Sequence, residues 1–120
     1  MSGEVRELTV TTSTVGSAII LSASGEVDIV SAPKLSATVS EALATGSSVL
    51  VLELSEVSFF GSAGLSVLVE ALRTAATDQQ VKVVGSMPVQ RPIELTGLDK
   101  MLDVHDTLED ALRDRSSDSA

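Results

Sequence analysis

The sequence predicts an α/β fold: a mixed, mostly parallel sheet of about five strands with helices packed on it, opening with an antiparallel hairpin. Three observations predict it. The hydrophobic residues change period repeatedly along the chain, from alternation to helical spacing and back. Residues 49–54 are a compact apolar run, the pattern of a strand buried on both faces. Strand-like segments then alternate with helix-length ones, which calls for right-handed crossovers between parallel strands.

Residues 5–12 and 17–23 read as two strands joined by a turn near Thr14, Val15 and Gly16. The first alternates loosely; the second, through Ile19, Ile20 and Leu21, is more continuously apolar. Strands joined by so tight a turn pair antiparallel. Leu35, Val39, Ala42 and Leu43 fall on one helical face, with Ser31 placed to cap, Pro33 in the first turn and Gly46 at the exit. After the strand at 49–54, a second helix is expected over about 62–77, with Leu65, Leu68, Val69, Leu72 and Ala76 as its apolar face. Residues 81–84 form a short buried strand. Residues 88–96 form a helix closed by Gly97, with Pro92 inside it calling for a late start or a kink. Residues 101–104 are the last strand. Asp106 and Glu109 make a capping box for a final helix bearing Leu108, Ala111 and Leu112. The single domain is expected over residues 4–115, with 1–3 and 116–120 as polar, unpatterned tails.

Composition narrows the function. The 120 residues carry a net charge of −9, against a role in neutralising phosphate backbones. Phe59 and Phe60 are the only aromatic residues, so bases have little to stack on, and nucleic acid is not the expected partner. Zero cysteines exclude disulfides, thiol switching, Cys nucleophiles and thiolate metal sites. No signal-peptide pattern or membrane-length apolar run is visible, so a soluble cytoplasmic domain is expected. The segment from Asp103 to the end holds six acids against Arg113 and Arg115; it reads as a solvated helix face and tail.

In parallel sheets, function gathers outside the carboxyl ends of the strands, where the next helices begin. That directs attention to residues 25–31, 57–65, 85–89 and 104–106. The most informative is 55–65, where a buried strand runs through Phe59 and Phe60 into Gly61-Ser62-Ala63-Gly64-Leu65 and a helix. Small residues there let backbone approach another molecule closely. Ser62 can serve as an N-cap and nothing more. The same geometry also suits a phosphate: first-turn amides and the helix dipole favour an anion. A phosphoryl group on Ser62 would add about −1.5 to −2 charges to a small, neutral patch. A docked partner would then meet repulsion and a desolvation cost.

Other chemistries fit less well. Gly61-Ser62-Ala63-Gly64 is one residue short of a nucleophile elbow, and His105, the only histidine, reads as a loop residue, so a hydrolase is not expected. Neither a G-x-x-x-x-G-K-[ST] nor a G-x-G-x-x-G signature occurs, and no Lys or Arg follows Gly61 and Gly64 within the turn. Glu26 and Asp28 lie at alternate positions and read as a solvated loop at a strand end rather than metal ligands. No cofactor is expected.

Gly25-Glu26-Val27-Asp28, the run 49–54 and the segment from Val57 to Leu65 resemble, in this order, the pattern of STAS domains. They are most similar to the stand-alone anti-sigma factor antagonists of bacteria. Val89-Gln90-Arg91 with Leu95-Thr96-Gly97-Leu98, and the stretch from Asp106 to Leu112, match the family's last two helices, so the resemblance covers residues 8–112. It implies a non-catalytic partner switch. The antagonist binds an anti-sigma factor of serine-kinase fold and frees a sigma factor for transcription; the kinase phosphorylates a serine of the antagonist, and a phosphatase reverses this. By position the phosphoacceptor is Ser62. The implied contact surface is Gly25, Glu26 and Asp28 with Gly61, Ser62, Ala63, Gly64 and Leu65. The family commonly has Asp before the acceptor, where this chain has Gly61. Two readings follow: Ser62 is still modified, or the antagonist is always competent to bind. Some STAS-like domains bind nucleotides or other small ligands, which would place an anion at the Ser62 helix start as the alternative. The protein is expected as a monomer or weak dimer.

Overall fold

The computed structural model describes residues 7–113. Both expected tails, and the start of the first expected strand, lie outside the described residues. Five strands form one sheet in the order β1-β2-β3-β4-β5, which is also their order in the chain. β1 (Thr9–Val15) and β2 (Ala18–Val27) are the antiparallel hairpin. β3 (Val49–Phe60), β4 (Gln80–Gly85) and β5 (Asp103–His105) each pair parallel with the preceding strand. The crossovers carry α1 (Ala32–Ala44), α2 (Ser62–Thr74) and α3 (Met87–Thr96), and α4 (Leu108–Arg113) follows β5. The predicted fold class is the observed one.

Strand alternation divides the core into two layers. Leu21, Leu50, Leu52, Leu54, Val81 and Val83 meet Leu35, Val39, Val67, Leu68, Val89 and Ile93 from α1, α2 and α3. On the opposite face Ile20, Val51 and Val84 meet Ala111 of α4. Lys82 lies on that second face and is 2 % exposed. Its Nζ donates to the Ala111 carbonyl of α4 at 2.9 Å, which ties the helix to this face of the sheet.

Several boundaries move, each for a local reason. β3 does not stop at Leu54. It continues to Phe60 with two register shifts against β2, at Ser22/Ser24 and Gly25/Glu26, so twelve residues pair along ten. Those added residues break the alternation a sequence reading relies on. α2 ends at Thr74 instead of residue 77, because Ala75 is already extended. α3 runs through Pro92, and Gly97 closes it at φ 80°. The last strand starts later than residue 101, since a 3₁₀ turn over Leu98–Lys100 takes up the intervening chain.

Three predicted caps are also corrected. Gly61, not Ser62, occupies the N-cap position of α2, and Ser62 is the first helical residue. Ser31 does stand at the N-cap of α1 but makes no capping bond; its hydroxyl is engaged with Glu26 and Asp28. At α4 the cap is Thr107, whose Oγ1 accepts the Asp110 amide at 3.1 Å, while Asp106 accepts from Gln90 Nε2 at 2.9 Å.

Candidate functional site

β2 and β3 end side by side, with Val27 paired to Phe60 and the Gly61 amide donating to the Val27 carbonyl at 3.2 Å. This pairing fixes the start of α2 beside the loop that leads into α1. Between them lies an open groove of about 800 Å³. Ile29, Ala32 and Pro33 line one wall, and Phe59, Ser62, Ala63 and Val67 the other.

The α1-side loop is built by Asp28. Its Oδ1 accepts from the amides of Val30 at 3.0 Å and Ser31 at 2.9 Å, and the Asp28 amide donates to Ser31 Oγ at 2.9 Å. These bonds, the Ser31 amide first, hold the Asp28 carboxyl below its ordinary pKa. With its backbone tied back, the loop presents Ile29 and Val30 outward, 81 % and 84 % exposed.

On the facing wall Ser62 is exposed at the first position of α2. Amides at the first two helical positions have no intrahelical acceptor, so they remain available to an anion on the serine. Gly64 is buried against the Phe60 ring, and a Cβ there would come within 2.7 Å of it, so the position takes only glycine without a shift. Phe59 points the other way and is 49 % exposed. The charged groups lining the groove are Asp28 and Glu70. A phosphoryl group on Ser62 therefore joins two carboxylates, and a groove with this lining has no cation to hold a nucleotide's phosphates.

Residues 9–111 match the STAS domain family model. The chain belongs to the STAS domain family. It is 38% identical over 108 residues to the anti-sigma-F factor antagonist RsfB of Mycobacterium tuberculosis, covering 88% of this chain and 87% of that protein. The crystal structure of an anti-sigma factor antagonist from Mycobacterium paratuberculosis superposes with a TM-score of 0.86 at 36% identity, over 88% of this chain and 92% of that one. SpoIIAA of Bacillus in its unphosphorylated form gives a TM-score of 0.69 at 18% identity, over 92% of this chain and 99% of that one, a likeness of fold.

In this STAS domain the residues expected at the contact surface divide. Asp28, Gly61, Ser62 and Ala63 line the groove together. Gly25 is buried in β2 at φ 104°, where it permits the register shift. Glu26 alternates with the core residue Val27 and so lies on the sheet face away from α1 and α2. Leu65 borders a neighbouring groove with Val69 and Leu98. His105 lines a separate groove at the other edge, with Asp103, Asp106 and Asp110. Its Nε2 lies 3.1 Å from Asp103 Oδ1 without hydrogen-bond alignment, and nothing there brings it to Ser62. No three metal-ligating side chains gather among the described residues, and no helix among them is long and apolar enough to cross a membrane.

The expected segments 25–31 and 85–89 contain Ile29, Val30 and Met87, but sequence reasoning singles out none of them; the structure leaves all three largely exposed, Met87 63 % at the start of α3. The signal was present. Ile29-Val30 is an apolar pair bracketed by Asp28 and Ser31, two residues that favour turns.

Proposed function

We propose that this STAS domain is an anti-sigma factor antagonist that docks on an anti-sigma factor of serine-kinase fold and so releases a sigma factor. The docking surface is the groove between the Ile29-Val30 loop and the start of α2. Phosphorylation of Ser62 by the partner kinase turns docking off, and a phosphatase restores it. The names of the 38% and 36% identical relatives support the class. One observation carries the site: Ser62 is exposed at the first position of α2, in a groove whose charged lining is carboxylate.

The switch follows from the physical chemistry of that position. Unmodified, the groove offers apolar surface and a small hydroxyl that a partner can cover at little cost. Modified, it holds about −1.5 to −2 further charges beside Asp28 and Glu70, and covering it means desolvating a dianion. Gly61, standing where the family commonly has Asp, slows modification and leaves docking intact.

The test measures affinity for the cognate anti-sigma factor by titration calorimetry. Ser62→Asp is expected to weaken it at least about tenfold, and Ser62→Ala to hold the wild-type value. Intact mass after incubation with kinase and ATP is expected to show one phosphate, mapped to Ser62. Wild-type affinity in Ser62→Asp would sink the switch.

A further inference from the structure

We propose that two copies of this chain pair through the outer edges of their β1 strands, forming a continuous ten-stranded sheet. The inference is independent of the proposed function.

Among the described residues β1 has one neighbour, β2, and its other side is an open sheet edge. Such edges are ordinarily blunted by charge, proline, a bulge or short length. The opposite edge follows that rule: β5 is three residues long and carries Asp103 and His105. β1 does not. It runs Thr-Val-Thr-Thr-Ser-Thr-Val, seven residues in unbroken register with β2, uncharged and rich in β-branched side chains.

The hairpin fixes which backbone groups face out. Val15 pairs with Ala18 across the two-residue turn Gly16-Ser17, so that pair exchanges both its hydrogen bonds. Alternation then turns Ser13, Thr11 and Thr9 toward β2, and the N–H and C=O groups of Val10, Thr12 and Thr14 outward. A second copy related by a two-fold axis at Thr12 sets Thr12 opposite Thr12 and Val10 opposite Thr14. Every outward group of the three residues is then paired, and the side chains meeting across the seam are β-branched or small.

Charge decides for a second copy as the occupant. The chain carries −9, so two copies repel over most of their surfaces. Residues 8–25, eighteen in succession, contain no charge at all. The hairpin is thus the face on which like molecules approach without opposing carboxylates. None of the β1 residues lines the Ser62 groove, so pairing through β1 uses no residue of that groove. A contact seven residues long, about 24 Å, is a small interface and makes a concentration-dependent dimer.

Sedimentation equilibrium from about 10 µM to about 1 mM tests this. Wild type is expected to rise toward twice the monomer mass. Thr12 is exposed, and in the pair it faces itself, so Thr12→Lys and Thr12→Glu alone should each weaken dimerisation at least about tenfold by like-charge contact. An equimolar mixture of the two should restore it. Amide exchange on the wild type gives a reading without variants: Val10, Thr12 and Thr14 should gain protection as concentration rises. A monomer throughout, a dimer indifferent to both substitutions, or no rescue on mixing overturns the proposal.

Discussion

The ring of Phe59 lies where a side chain at Gly61 would begin: a Cβ built there meets its Cε2 and Cζ at 3.1 Å. The ring is half exposed and the contact is with its far end, and the Gly61 backbone, at φ −92°, suits any residue. Gly61→Asp should therefore fold with a stability change within about 0.5 kcal/mol. It places a carboxylate one residue before the Ser62 hydroxyl. Phosphate incorporation by the cognate kinase is expected to quicken at least about tenfold. Equal rates in the two proteins would show that residue 61 does not limit the transfer.

Ile29 and Val30 test the docking surface apart from the serine. Both are more than four-fifths exposed, so folding gains little from them. Ile29→Ser and Val30→Ser are each expected to shift stability by no more than about 0.5 kcal/mol. If the groove is the interface, covering these side chains is a large part of the association energy, and each substitution should cost about 1–2 kcal/mol of affinity. Thermal denaturation and calorimetry on the same samples separate the two quantities. Unchanged affinity in both variants would move the interface elsewhere.

The sheet was legible because its core strands are apolar runs and α1 carries a clear face. In α2 the expected face is rotated, since Leu68 is buried as expected but Val69 is exposed, Ala76 lies past the helix, and Val67 and Ala71 fill the core instead. Leu35, Val39, Ala42 and Leu43 were placed on the buried face of α1 and are buried there. Ser62 was legible because a strand, a run of small residues and a helix stand in succession. What escaped depends on contacts between distant segments. The strand through Phe59 and Phe60 is legible, but nothing local shows that it is continuous with residues 49–54; the two register shifts that join them, at Ser22/Ser24 and Gly25/Glu26, are set by pairing with β2. Ser31 has the right residue type and position for a cap, yet Glu26 and Asp28 claim its hydroxyl. Lys82 reads as an interruption in Val81-Lys82-Val83-Val84 until α4 folds over it and offers a carbonyl.

That lysine supports the next expectation. Lys82 is buried, with Asp103 Oδ2 at 3.9 Å and the Ala111 carbonyl of α4 at 2.9 Å. Lys82→Ala removes the donor from a buried acceptor and leaves a space where the stem packed. A loss of about 2–4 kcal/mol is expected in urea denaturation. Lys82→Met keeps the apolar stem and should cost less, about 1–3 kcal/mol. In both variants the amides of α4 should exchange faster than those of α1. Protection falling equally in the two helices would mean that Lys82 supports the whole sheet and not α4 in particular.

Asp28 makes the docking loop sensitive to acid, and the sign can be worked out. In the folded loop its carboxyl sits below the ordinary value of 3.8, because the amides of Ser31 and Val30 and the Ser31 hydroxyl donate to the ionised form. Protons therefore bind the unfolded chain more readily than the folded one. The stabilisation is fully present above the ordinary value and is lost as pH falls through the lowered folded value. Between pH 7 and about pH 5 nothing should change. Below about pH 4 the amide resonances of Val30 and Ser31 should move as the loop loosens, with the resonances of β3 steady. Asp28→Asn retains an acceptor oxygen but has no titrating proton, so its loop amides should show no such movement. If the wild-type resonances stay fixed through that range, or Asp28→Asn moves with them, the Ile29-Val30 loop is held by something other than the Asp28 carboxylate.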